Sequence, residues 1–317
     1  MRIATGFMAS KFLFVAVELR LFEHLVRGTL DLPALAAAAQ APTRTVRIVA
    51  DALVSIGLLT KDSRGYANSA AAQAVLSGAG TADLRATMRH FDRIGYADWA
   101  GLEDAVRTGE ATRRKLDRDD ERLLAEGIEA LSAPLAAAIS AVHDFGGHRR
   151  LLDIGGGAGH LLCAILQRYP NLQATLVDRD EAASLARVRI EQAGLAHRAA
   201  VLAQDIFEAD LPAGHDATLI ANVLHLMSPE RNRRLLQRVR DRADRGDRLL
   251  LVDLFTDETR TAPRFAALMA GTFLTGYGEG DVYSVTDVLT WARETEWDVE
   301  HVHDLGGSSK LVVAARR

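Results

Sequence analysis

A histidine that closes an apolar run, His225 in ANVLHLMSPE (residues 221–230), has the chemistry of a general base. A neutral imidazole accepts a proton near neutral pH. A histidine ending a strand is also a common structural residue, so the groups around it decide. Upstream, LLDIGGGAGHLL puts Asp153 at the end of an apolar run and Gly155, Gly156, Gly157 and Gly159 in the turn before a helix. Glycines let backbone approach a ligand closely, and the helix start offers unpaired amide donors. The next apolar run ends at Asp178 in ATLVD, where a carboxylate can accept both hydroxyls of a ribose, as a dinucleotide site also requires. A third run ends LAQDIF, adding the acceptor Asp205, with Ile206 and Phe207 to sandwich a purine. Acids in series at three strand ends suit a nucleoside with a short zwitterionic tail and offer little to a pyrophosphate. S-adenosylmethionine is such a ligand.

The elements that must hold these residues follow from periodicity. From residue 149 onward, short apolar runs (RLLDI, QATLVD, AAVLAQD, ATLIANVL, RLLLVDLF) alternate with amphipathic helical stretches. That rhythm predicts a parallel sheet covered on both faces. The chain closes with two strand-like runs around Gly-Gly-Ser-Ser, a hairpin signal. Before residue 148 the pattern is helical. SKFLFVAVELRLFEHLV places Phe12, Val15, Leu19, Phe22 and Leu25 or Val26 on one face. Asp31 is placed to cap a helix with Pro33 in its first turn, and Thr43 can cap a helix that Gly57 stops. Two helices followed by LLTKDSRGYANS give the order of a winged-helix unit. The expected organisation is a winged-helix-like domain over 1–80, a helical covering region over 81–147, and a catalytic domain over 148–317. Met88, His90, Phe91, Tyr96 and Trp99 fall in the covering region, as core or as the wall of a pocket for a flat ligand.

Composition narrows the function. The chain has 317 residues, 48% hydrophobic and 25% charged, with a net charge of −4, which argues against a general nucleic-acid binder. The would-be recognition helix carries only Arg44 and Arg47, and the wing Lys61 and Arg64, a thin basic footprint for a DNA-binding regulator. Cys163 is the only cysteine, so no intrachain disulfide is expected and a reducing, cytoplasmic setting is natural. No apolar run approaches the length needed to span a bilayer. His301 and His303 alternate on one strand face near Asp304, but without a further ligand they do not define a metal site, and none is expected.

LLDIGGGAGHL, DIFEADLP and NVLHLMSPER, together with SKFLFVAVELRLFEHL and TVRIVADALVSIGLLTKDSRGYANS, resemble the small-molecule O-methyltransferase family of plant caffeate and flavonoid enzymes and bacterial natural-product enzymes. The resemblance covers nearly the whole chain. It implies an α/β class I methyltransferase fold, a Rossmann-like sheet with a C-terminal antiparallel hairpin, behind an N-terminal, mostly helical winged-helix dimerisation domain. It implies a homodimer and S-adenosyl-L-methionine as methyl donor. Residue by residue, Asp153, Gly155, Gly157, Asp178, Asp205, Ile206 and Asn222 fall with the cofactor, and His225 on the family's general base. Of two acids that flank this histidine in the plant enzymes, the first falls on Asp253 and the second near Val282, with Asp281 one residue away.

Chemistry supports a base at this position. A phenol, with a pKa of about 10, is mostly protonated at neutral pH and a poor nucleophile. Proton removal by an imidazole is typically worth roughly 100- to 10,000-fold. Phe265, Met269, Phe273 and Tyr277 in FAALMAGTFLTGYGEGDVYS supply an apolar, aromatic acceptor pocket. The family follows its histidine with Asp and Trp, where this chain has Leu226 and Met227. The departure admits a carbon or nitrogen acceptor, or a non-methylating use of the cofactor, beside the leading expectation of O-methylation of a small aromatic metabolite. No nucleic acid or membrane partner is expected.

Overall fold

The computed structural model describes residue 1 and residues 3–317, which form two compact units: Met1–Ala97 with Lys115–Leu131, and Asp98–Arg114 with Ser132–Arg317.

In the first unit the opening amphipathic run is not one helix. It divides into Gly6–Glu18 and Leu21–His24 at Arg20, whose φ is 55°. The break changes the buried stripe from the expected one: Phe14, Val17, Leu21, Phe22 and Leu25 are buried, whereas Val15 faces outward. Asp31 caps the Leu32–Ala38 helix, its Oδ1 accepting the Ala34 N–H at 2.8 Å, with Pro33 in the first turn. Thr43 does not cap the next helix. It is the first helical residue of Thr43–Ser55, Pro42 holds the cap position, and Gly57 ends the element at φ 79°. Strands β1 (Leu59–Asp62) and β2 (Gly65–Asn68) then pair antiparallel, completing the winged-helix order around a core that includes Leu35, Leu53 and Tyr66.

The second unit is built on a seven-stranded sheet. Its strands are β3 (Arg150–Ile154), β4 (Gln173–Asp178), β5 (Ala199–Ala203), β6 (Ala217–Ala221), β7 (Arg248–Leu254), β8 (Trp297–Asp304) and β9 (Ser309–Arg316), in the order β5-β4-β3-β6-β7-β9-β8. The first five run parallel, and β9 and β8 add as the expected antiparallel hairpin. Inner strands β3, β6 and β7 are buried along nearly their whole length, because two apolar layers cover the sheet: one holds Phe207, Leu235, Leu236 and Trp291, the other Ile139, Phe145, Leu162 and Ile190. The chain leaves β3 toward β4 and β5 and returns to lay β6 on the other side of β3. The carboxyl ends of β3 and β6 therefore flank the point where strand order reverses, which is where open α/β sheets bind ligands. No single helix among the described residues is long and apolar enough to cross a membrane.

Candidate active site

The glycine turn grows from β3. Gly155 (φ 70°) donates its N–H to Val177 O at 2.8 Å, and a Cβ on it would lie 2.6 Å from Val223 Cγ2, on the segment that follows β6. Gly156 packs so closely on Asp153 that a Cβ would fall 2.4 Å from Oδ2. Gly157 (φ 57°) has open space where a side chain would be, and its N–H donates to Asp178 Oδ2 at 2.8 Å, tying the turn to the end of β4. His160 opens the following helix, with Nε2 2.8 Å from Ser132 Oγ.

Asp153 is buried in the middle of the sheet, and its Oδ2 has no hydrogen-bond partner among the described residues. Burial, with Asp178 nearby, pushes its carboxyl up to about 7. A buried carboxylate oxygen left unmatched costs free energy, which a cationic group brought to the neighbouring glycine turn would lower. Asp205 lies two residues beyond β5 and is exposed, its Oδ1 accepting the Phe207 N–H at 2.7 Å. Ile206 is half-buried. Phe207 is not available to sandwich a purine: it is buried in the core, with the Arg231 and Arg234 guanidinium groups 4.6 and 5.2 Å from its ring centroid.

His225 lies one turn beyond β6 rather than on the strand. Asn222 takes the left-handed conformation (φ 57°), which asparagine tolerates, while its N–H still bonds Val252 O on β7. A short 3₁₀ turn, Leu224–Leu226, then presents the imidazole. Three carbonyls in and just after the turn are engaged: Leu224 O by Asn232 Nδ2 at 2.9 Å, His225 O by the Asp281 N–H at 3.1 Å, and Met227 O by Tyr283 Oη at 2.6 Å. Ser228 and Pro229 start the next helix immediately, so the turn is held from both sides.

The imidazole Nδ1 meets Asp253 Oδ1 at 2.5 Å, and both side chains are buried. Asp253 ends β7, and Oδ1 also accepts the Leu254 N–H at 2.7 Å. A carboxylate at Nδ1 holds the proton there and leaves Nε2 with its lone pair. Among the described residues Nε2 makes no hydrogen bond, and it is not sealed off.

The second acid is not at the ring. Val282 is buried in an apolar cluster, and the Asp281 carboxylate takes Arg260 Nη1 at 2.6 Å and the Val282 N–H at 2.7 Å. Leu226 and Met227 both pack into the core. The four apolar residues expected in the acceptor pocket lie along one face of the Arg264–Tyr277 helix: Phe265 is exposed, Met269 and Tyr277 are half-buried, and Phe273 is buried. Trp99 rests on the same helix at Gly271, with Nε1 3.1 Å from Thr272 Oγ1. Among the described residues no group of three His, Cys, Asp or Glu is placed to hold a metal ion, and the His301 and His303 rings stand 5.5 Å apart.

Sequence reasoning did not single out Asn232, Tyr283 and Gly280. Their only signal is the dense turn they support: a Cβ at Gly280 would lie 2.6 Å from His225 O.

The sheet order and the glycine turn admit several nucleoside-using families. The family profiles decide between them: an O-methyltransferase domain matches residues 99–290, and an O-methyltransferase dimerisation domain matches residues 1–78.

The chain belongs to the O-methyltransferase family.

This O-methyltransferase is 31% identical to the 3-hydroxy-5-methyl-1-naphthoate 3-O-methyltransferase of Streptomyces sahachiroi over 92% of this chain and 87% of the relative. It is 30% identical to the N,N-dimethyltransferase OxyT of Streptomyces rimosus over 82% and 79%. Among solved structures it matches the S-adenosylmethionine-dependent methyltransferase SibL with a TM-score of 0.83 and 31% identity, over 99% of this chain and 98% of SibL. The enzyme is an S-adenosylmethionine-dependent methyltransferase with the expected sheet and an N-terminal dimerisation domain.

Proposed function

We propose that this enzyme O-methylates a hydroxyl of a small aromatic metabolite in natural-product biosynthesis, acting as a cytoplasmic homodimer. The observation that carries the reading is the His225–Asp253 pair, buried and joined at 2.5 Å, on the segment whose Val223 packs against the glycine turn. Bound there, S-adenosylmethionine supplies an electrophilic methyl group on a sulfonium. Asp153, Gly155, Gly157 and Asp178 hold the cofactor, with Asp205, Ile206 and Asn222 at the neighbouring strand ends. His225 Nε2 takes the acceptor hydroxyl proton as the oxygen becomes a nucleophile, and Asp253 steadies the imidazolium that forms. The face of Phe265, Met269 and Tyr277 suits a flat, apolar acceptor. Relatives named for a hydroxynaphthoate and for tetracenomycin polyketide synthesis support that class. Turnover of a panel of hydroxynaphthoates and phenols, followed by S-adenosylhomocysteine release, tests it: transfer to none of them, with transfer to an aliphatic acceptor, overturns the substrate class.

A second reading keeps the fold and changes the acceptor to nitrogen or carbon. It is favoured by OxyT, a relative named for N-methylation, and by the half-buried Leu226 and buried Met227. The regulator reading is weakened by the first unit's own ion pairs: Arg47 and Lys61 both bind Asp51, and Arg64 binds Asp62. Little cationic surface is left for phosphates.

Asp153 makes cofactor binding pH-dependent. Its folded pKa of about 7 lies above the ordinary carboxylate value, so it costs the fold nothing below about pH 4 and destabilises the ligand-free protein as pH rises toward 7. A cationic ligand reverses this by favouring the ionised form. Calorimetry near pH 7 in buffers of different ionisation enthalpy should show proton release of about half an equivalent on S-adenosylmethionine binding, with affinity rising from pH 6 to 8. Asp153→Asn should weaken binding and remove both effects.

A further inference from the structure

Phe273 stacks on the base. Its ring centroid is 3.9 Å from that of His225, with the planes 20° apart. Neutral aromatic pairs favour offset or edge-on arrangements at longer separations, whereas a close face-on stack suits a ring pair in which one member is a cation. Imidazole becomes that cation when it takes a proton.

The stack is built in from several sides. Asp253 fixes the edge of the imidazole at Nδ1, which leaves rotation about that axis and tilt of the ring plane to be controlled. Gly280 lets the following loop close against both partners: a Cβ there would lie 2.6 Å from His225 O and 2.8 Å from Phe273 Cβ. The Arg264–Tyr277 helix that carries Phe273 is itself latched. Thr112 and Arg113 donate their N–H groups to Thr275 O, and Arg113 pairs with the buried Asp98 at 2.7 Å. The charged group that meets the ring is Asp253 from β7; the Asp281 carboxylate on the loop that closes against it is held by Arg260, and the Arg113 guanidinium lies 5.0 Å from the Tyr277 ring at the end of the helix, paired with Asp98.

We propose that Phe273 is a positioning residue for His225: its ring sets the plane of the imidazole, and its face stabilises the positive charge the imidazole gains on accepting the acceptor's proton. The inference rests on His225 being the general base. It moves Phe273 from the acceptor wall to the catalytic machinery, where an aromatic face takes the place of a second carboxylate.

The test combines the titration of the His225 ring nitrogens by NMR in the full-length protein with turnover of the best acceptor from the hydroxynaphthoate and phenol panel. Phe273→Leu, which keeps apolar volume and loses the π face, should shift the His225 ring resonances. It should also move their titration midpoint about half a pH unit lower. The acidic limb of the kcat profile should move with it, kcat should fall about tenfold with little change in the acceptor KM, and Phe273→Tyr should restore both. An unchanged titration and pH profile in a folded Phe273→Leu protein overturns the proposal while leaving the base assignment standing. Full turnover by His225→Ala removes the base assignment, and with it the catalytic meaning of the stack.

Discussion

Replacing His225 by alanine is expected to lower kcat by about 100- to 10,000-fold, the usual worth of a general base, while leaving S-adenosylmethionine affinity close to that of the native enzyme. Separation of the two effects follows from placement. Most of the groups proposed for the cofactor lie on the β3 turn and at the ends of β4 and β5; Asn222 stands three residues before His225, which lies on the turn after β6 and is fixed through backbone bonds that alanine keeps. Loss of rate with binding intact marks an interaction made in the transition state. Steady-state kinetics over a pH series, with calorimetry for the cofactor, measure both. A more acidic acceptor hydroxyl should narrow the gap between native enzyme and variant, because it needs less help to ionise.

Asp253→Asn is expected to lower kcat about 10- to 100-fold, with a smaller loss of stability. The amide keeps the volume and can still accept the Leu254 N–H, so the end of β7 survives. It cannot carry the negative charge that favours an Nδ1–H tautomer and stabilises the imidazolium. Asp253→Ala differs in kind. It leaves the buried imidazole and the Leu254 N–H without an acceptor, at a cost of about 1–3 kcal/mol for each unmatched group, so thermal unfolding should separate the two variants clearly.

Much of this arrangement is legible in the sequence because it is periodic. Alternating apolar runs and amphipathic helices imply the parallel sheet, and the glycine turn, Asp178 and His225 each follow a strand that can be read directly. Asp253 could be matched to His225 only through the family resemblance; the structure supplies the physical link, since β6 and β7 are adjacent and in register. What escaped depends on contacts between distant segments. Phe207 looked available for a purine, yet the guanidinium groups of Arg231 and Arg234, on the helix after β6, cover it. The break at Arg20 is a single left-handed residue inside a run whose apolar spacing reads as continuous helix. Asp281 was a candidate partner for the base by its place in the chain, but Arg260, twenty-one residues earlier, holds its carboxylate. Phe273 read as pocket lining because aromatic residues at helical spacing look alike wherever their faces point. Its stacking on His225 requires the fold.

General-base O-methylation by His225 is tested most directly by supplying S-adenosylmethionine with an isotope-labelled methyl and a hydroxylated aromatic acceptor, then locating the label in the product by NMR. A labelled methyl on the hydroxyl oxygen is expected, with one S-adenosylhomocysteine for each product and loss of that product with His225→Ala. Label on carbon or nitrogen, or an undiminished yield from the variant, would contradict it.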